Sequence, residues 1–150
     1  MKAFTLLELL VVLLLIALTS SILLPKIRPF NPSPSSLPDR LENFFSKARQ
    51  RAYLRNENLL VIIDDKTRSF LLYNLPINEK NKILDKVYIP KKFEIKVSEV
   101  FEISSSPAIL FFSSGASSGG EIEIINRETA QRWLIRIPQS AFYIEKKELL

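Results

Sequence analysis

Residues 1–25 read MKAFTLLELLVVLLLIALTSSILLP. After Met1, Lys2 and Ala3, the chain is apolar from Phe4 to Leu24 with a single charge, Glu8. As a helix, this run would extend about 31 Å at 1.5 Å per residue, the hydrocarbon thickness of a bilayer. A cleaved secretory signal has a shorter apolar core and a small-residue cleavage site. This run ends in SSILLPKIRP, with no A-x-A pattern. Its length argues against a helix buried in a soluble core. A plain membrane anchor accounts for the length but leaves Glu8 unexplained, because a carboxylate in lipid costs on the order of 2–3 kcal/mol, less near a helix end. Such a group is kept where it finds a partner. A cut after Ala3 would create one, the new ammonium of Phe4. Phe4 and Glu8 are spaced i, i+4 and share a helix face, and in a packed assembly the same two groups could pair between neighbouring chains.

Composition narrows the chemistry. The 150-residue chain has no cysteine and no histidine, which excludes a disulfide, a Cys/His zinc site and a histidine-based catalytic triad. No cofactor or metal site is expected, and an enzyme is disfavoured. The net charge of +5 is mild and reads first as solubility.

Residues 25–38, PKIRPFNPSPSSLP, hold five of the nine prolines. Proline removes a backbone donor and restricts the residue before it, so no continuous helix is expected to cross this stretch. It reads as a semi-extended linker, a hinge between the apolar run and the rest of the chain. Residues 39–55, DRLENFFSKARQRAYLR, are predicted to be an amphipathic helix. Leu41, Phe44, Phe45, Ala48 and Ala52 make one apolar face, and Asp39 suits the positive end of the helix dipole. Lys47, Arg49, Arg51 and Arg55 gather toward the other end. Dipole complementarity and a solvated face explain that cluster most simply; the alternative is an anion surface, with Arg49, Arg51 and Arg55 as candidate contacts for DNA phosphates.

From Leu59 the hydrophobic period changes to that of strands. LLVIID (59–64) and SFLLYNL (69–75) flank a polar turn and predict a hairpin. VYIP (87–90) is a short strand, and FEIKVSEVFEI (93–103) alternates like one half-buried strand. PAILFFSS (107–114) reads as a central strand buried on both sides. SSGASSGG (113–120) holds all three glycines. It lacks the spacing of a P-loop or dinucleotide fingerprint and precedes a strand, EIEII (121–125), so a hairpin with residues at positive φ is expected. RWLIRIP (132–138) and SAFYIEKK (140–147) predict two more strands. The expected architecture is an antiparallel sheet covered by the helix. Asp64 and Asp65 fall in a turn, and Glu121 and Glu123 on a solvated strand face; turn chemistry and solubility explain them better than catalysis or calcium binding.

The first 25 residues resemble the type III signal of type IV pilins and type II secretion pseudopilins: Lys2, Ala3, Phe4, Thr5, Leu6, Glu8 and Leu9 fall in its register, and Pro25 falls where pilin helices commonly kink. Ala3 stands where that family usually has Gly. Two further stretches, ARQRAYLRNENLLVII (48–63) and FFSSGASSGGEIEI (111–124), resemble the head of the GspH/FimT minor pseudopilins, with Ser113 or Ser114 replacing a usual proline. Gln139-Ser140-Ala141-Phe142 departs from the family's closing strand. The resemblance implies a pilin-like α+β fold in four parts: a leader (1–3), a transmembrane and assembly helix (4–24), a Pro-rich linker (25–38) and a head (39–150). It implies cleavage between Ala3 and Phe4 by a prepilin peptidase, N-methylation of Phe4, and Glu8 neutralising the amine of a neighbouring subunit. The expected protein is a non-catalytic minor pseudopilin of a type II secretion pseudopilus, single-pass in inner-membrane lipid with a periplasmic head, partnered by other pseudopilins. The alternative is a minor type IV pilin that binds DNA for uptake or primes pilus assembly.

Overall fold

The computed structural model describes Val11 and residues 36–77 and 82–149. The chain divides into two units, Met1–Pro34 and Ser35–Leu150. The expected leader, membrane helix and most of the linker belong to the first unit and lie outside the described residues, except that Val11 is helical. Among the described residues, no helix is long and apolar enough to cross a membrane.

The head opens with helix α1, Leu37–Arg55, two residues earlier than predicted. Pro38 lies in the first turn, where its missing N–H costs nothing. Ser36 is the N-cap; its carbonyl accepts the Arg40 amide at 3.0 Å, and its hydroxyl donates to the Asp39 carboxylate at 2.6 Å. The helix stops at Asn56, which takes left-handed geometry (φ 53°) while the Glu57 amide donates back to the Ala52 carbonyl at 3.0 Å. Asn is the non-glycine residue best suited to that conformation.

Among the described residues nine strands follow: β1 Leu59–Asp64, β2 Ser69–Asn74, β3 Asp85–Tyr88, β4 Phe93–Ser98, β5 Phe101–Ile103, β6 Ser106–Phe111, β7 Gly120–Asn126, β8 Arg132–Ile137 and β9 Glu145–Leu149. They form two antiparallel sheets, ordered β3-β2-β1-β6-β5 and β4-β7-β8-β9. The predicted β1–β2 hairpin is present, with Asp64 opposite Ser69. Its turn is built as expected: the Asp64 carboxylate accepts the Lys66 amide at 2.9 Å and the Thr67 hydroxyl at 2.7 Å. The Thr67 hydrogen bond, chiefly, holds the Asp64 carboxyl below its ordinary pKa.

One apolar cluster joins both sheets and the helix. Phe45 is fully buried, with its ring edge-on to Phe70 at 5.7 Å and tilted against Phe111 at 6.4 Å. Leu41, Phe44, Ala48 and Ala52 extend the same face, and Ile122, Ile124, Ile135 and Ile137 supply the second sheet's contribution. Burying a side chain of this size contributes roughly 1.5–3 kcal/mol. The sheets themselves cannot exclude water from the residues that α1 covers, so the helix completes the core.

Three expectations are corrected. Residues 93–103 are two strands, not one. Glu99 takes a left-handed conformation (φ 57°) and redirects the chain, so β4 pairs with β7 in the second sheet while β5 pairs with β6 in the first. The glycine-rich loop does close a tight hairpin at its tip, where the Phe112 amide donates to the Ala116 carbonyl at 2.9 Å and Phe111 bridges Ser117. Beyond that tip it crosses between sheets, so β6 and β7 are not hairpin partners. Finally, 140–147 is not a strand throughout: β9 begins only at Glu145, and the preceding residues run irregularly with their carbonyls engaged by a buried arginine. β6 does lie inside its sheet, between β1 and β5, with Ala108, Ile109 and Phe111 buried and Leu110 half-buried.

Candidate functional site

The residues expected to carry processing and assembly, Ala3, Phe4 and Glu8, lie outside the described residues. The remaining candidates are the cations of α1, and the structure separates them.

Arg49 is 1% exposed, one of the largest fully buried side chains among the described residues. Leu41, Phe45, Arg49 and Ala52 follow the spacing of one helix face, so the helix that buries Phe45 necessarily buries Arg49 one turn on. Its guanidinium donates to the Ala141 carbonyl, to the Pro138 carbonyl at 2.5 Å, to the Ser117 hydroxyl at 2.9 Å and, more weakly, to the Tyr143 carbonyl at 3.4 Å. It also lies 5.6 Å from the Phe111 ring centroid, a cation–π distance. Burial lowers the Arg49 pKa, but a guanidinium stays charged through that change. The Ser117 hydroxyl in turn donates to the Pro138 carbonyl at 2.9 Å, and the Gly119 amide donates to Ser117 Oγ at 3.2 Å. Arg49 therefore ties α1 to the glycine-rich loop and to the irregular segment 138–143. Arg49, expected as one of three exposed anion contacts, is instead buried with both terminal nitrogens engaged by acceptors inside the head.

Arg51 is half-buried, with Nε 3.6 Å from the Glu57 carboxylate. Lys47 and Arg55 are exposed and carry no ion pair among the described residues. Lys47, Arg51 and Arg55, with Gln50 and Leu54, line a shallow groove along the outer face of α1.

Beside this groove is a cleft of about 390 Å³ between the C-terminal half of α1 and the 138–143 segment, lined by Ser46, Arg49, Gln50, Tyr53, Leu54 and Phe142. Tyr53 and Phe142 meet edge to face with ring centroids 5.3 Å apart. The Phe142 ring also lies over Gly115, so tightly that a Cβ there would overlap it. Gly115 is at φ +87°, a region that residues with a Cβ rarely adopt. Sequence reasoning missed this cleft because its second wall belongs to a segment expected to be a strand.

The carboxylates considered for acid–base work are engaged elsewhere. Glu121 accepts from Arg136 at 2.6 Å and Glu123 pairs with Arg132, across the outer face of β7 and β8. At the head's other end, Lys146 of β9 pairs with Asp39 and, at 2.8 Å, with Glu42 of α1. The Lys146 hydrogen bond, with that from Ser36, depresses the Asp39 pKa, and the two carboxylates raise that of Lys146. Among the described residues, no three metal-binding side chains come together.

An amphipathic helix capping antiparallel sheets, with a glycine-rich crossover pinned to it, defines the head as pilin-like. The minor pseudopilin EpsH of the Vibrio cholerae type 2 secretion system superposes with a TM-score of 0.56 at 14% identity, over 76% of this chain and 97% of that one. The type IV minor pilin FimU of Pseudomonas aeruginosa superposes with a TM-score of 0.58 at 16% identity, over 74% and 90%. No protein-family model and no curated protein matches the sequence. The head thus has the fold of a GspH/FimT-like minor pseudopilin, as the sequence resemblance implied.

Proposed function

We propose that the chain is a minor pseudopilin, a structural subunit that enters a pilus-like fibre through residues 4–24 and presents its head outside the inner membrane, with no catalytic role. The observation that carries this reading is the coincidence of two independent features: the Phe4–Glu8 register ahead of a bilayer-length apolar run, and a head whose fold matches both a type 2 secretion pseudopilin and a type IV minor pilin. Prepilin peptidase would cut after Ala3 and methylate Phe4, and Glu8 would then neutralise the ammonium of a neighbouring subunit, removing an otherwise costly buried charge. Service in a type II secretion system, with a role in protein secretion, is the preferred assignment. Mapping the mature N-terminus of chain produced with a prepilin peptidase tests the processing step: the expected residue is methylated Phe4, and any other sinks it. Glu8→Ala is expected to be cleaved and inserted yet absent from the fibre; normal incorporation refutes the pairing.

A second reading, a minor type IV pilin that binds DNA, draws on the exposed Lys47 and Arg55. With Arg49 buried and Arg51 close to Glu57, few cations of the original cluster remain to follow a phosphate backbone.

A further inference from the structure

The cleft between α1 and the 138–143 segment displays more apolar surface than the core requires. Tyr53, Leu54 and Phe142 are 53%, 69% and 59% exposed, and Tyr143 beside them is also exposed. Single exposed apolar side chains need no explanation, but a contiguous group marks an interaction surface. This group is also held in place. Arg49 draws the carbonyls of Pro138, Ala141 and Tyr143 inward, and Phe142 is fixed between Tyr53 and the bare backbone of Gly115. An aromatic ordered before binding loses little freedom when a partner arrives.

The rim is cationic. The cleft and the groove of Lys47, Arg51 and Arg55 share Gln50 and Leu54, so a ligand anchored in one reaches the other. Within that rim Arg51 lies close to Glu57, while Lys47 and Arg55 carry no ion pair among the described residues; on the outer face of the second sheet, by contrast, Arg132 and Arg136 are matched by Glu123, Glu121 and Glu145. We propose that this cleft docks an acidic segment with an aromatic or aliphatic anchor, carried on the head of another fibre subunit. Six lining residues are far fewer than the roughly 20–30 that a standard interface takes from each partner, so the cleft suits one segment within a larger contact. A nucleic-acid strand fits less well: successive bases stack on aromatic faces along a continuous track, and Tyr53 and Phe142 stand nearly perpendicular at 84°, so a base on one ring does not continue onto the other.

The inference rests on the fibre-subunit reading for the source of the segment, and the two can fail separately. The probe is a fluorescein-labelled peptide with a central Phe-Leu pair flanked by alternating Asp and Glu, titrated by anisotropy into detergent-solubilised full-length chain. The controls are the same peptide with Ser-Ser at its centre, one with Lys for every acid, and labelled oligothymidine. Only the acidic Phe-Leu peptide is expected to bind, with Kd on the order of 10–100 μM. Leu54→Asp and Phe142→Ser should each weaken it at least tenfold, and Lys47→Glu with Arg55→Glu should remove its salt dependence. Leu54 is solvent-facing, so its variant should keep the wild-type melting curve even if Phe142→Ser does not. Absence of peptide binding, indifference to Leu54→Asp, or binding of oligothymidine alone overturns the proposal. Incorporation of the wild-type chain into a fibre is scored in parallel: incorporation without peptide binding rejects the cleft alone, and binding by a chain that never enters a fibre rejects its subunit partner.

Discussion

Removing the buried guanidinium is the sharpest test of how the head is held together. Arg49→Ala deletes the donor to the Pro138 and Ala141 carbonyls and to Ser117, together with the cation over Phe111. Three charge-assisted bonds at roughly 1.5 kcal/mol each, plus about 1 kcal/mol of cation–π attraction, set a gross loss of about 5–6 kcal/mol. Relief of the guanidinium's desolvation offsets part of it, while the stripped acceptors stay partly buried and Ser117 can still donate to Pro138. The net expectation is about 2–4 kcal/mol, which corresponds to a fall in Tm on the order of 10 °C for a head of this length. Among the described residues the apolar cluster runs from Leu37 to Ile144, within the unit Ser35–Leu150, so the assay is urea and thermal unfolding of residues 35–150. Arg49→Lys should fall in between, because one ammonium keeps the charge but not the planar fork. Arg55→Ala should stay within about 0.5 kcal/mol as a surface substitution, and Arg51→Ala, which removes the half-buried contact with Glu57, should cost about 1 kcal/mol or less. Equal effects from all three arginines, or a loss below about 0.5 kcal/mol for Arg49→Ala, would falsify the role of Arg49 as the tie between helix, loop and terminal segment.

Other expectations come from the same geometry. The Lys146–Asp39–Glu42 contact should give the head a shallow acid limb: Asp39 has a depressed folded pKa, so its contribution is present at neutral pH and is lost as pH falls below about 4 and through the folded value. Lys146 is raised, so its contribution holds below about pH 10 and disappears only as pH rises through the higher folded value. These groups are partly exposed, so Lys146→Ala should cost less than about 1 kcal/mol and flatten both limbs; unchanged pH curves in that variant would show that the contact adds nothing. Gly115→Ala should cost about 1–3 kcal/mol for the left-handed backbone and more for the overlap with Phe142. In the Phe142→Ala background the overlap part should vanish and the backbone part remain, measured as a double-mutant cycle in urea. Phe45→Ala should cost about 3–5 kcal/mol, read by the same denaturation, because its ring serves the helix and the first sheet together.

Much of the head is legible in the sequence because its local signals agree with its tertiary ones. The spacing of Leu41, Phe44, Phe45, Ala48 and Ala52 marks the buried face of α1, and the Asp64–Arg68 turn lies between two runs that pair along their whole length. The break at Glu99 is harder to see. Phe93, Ile95, Val97, Phe101 and Ile103 all have the same parity, so period-two alternation runs straight through it; the clue is that Glu99 occupies the slot where an inward apolar residue belongs. Segment 140–144 reads as strand although it is not one, because its backbone polar groups are satisfied by a side chain distant in sequence, which no local pattern records. Composition groups Arg49 with its charged neighbours, although its helical register with Phe45 already places it inward. The processing residues rest on the sequence alone, where Phe4 and Glu8 make a motif that the described head does not contain.

The division of β4 and β5 between sheets also bears on the order in which the head can form. The chain passes from the first sheet into the second after β3, back after β4, and across again after β6. Strand β4 is therefore laid down before its partner β7, with Ile95 waiting for Ile124 and Val97 for Ile122, while β6 must first be placed beside β1 and β5 beside β6. No length of chain ending before Gly120 contains a closed second sheet; it would leave the edge of β4 unpaired and Phe93 without its neighbour Trp133, an invitation to pair with another chain. A head arrested at that point is thus expected to aggregate, and the complete one to fold as a single cooperative step.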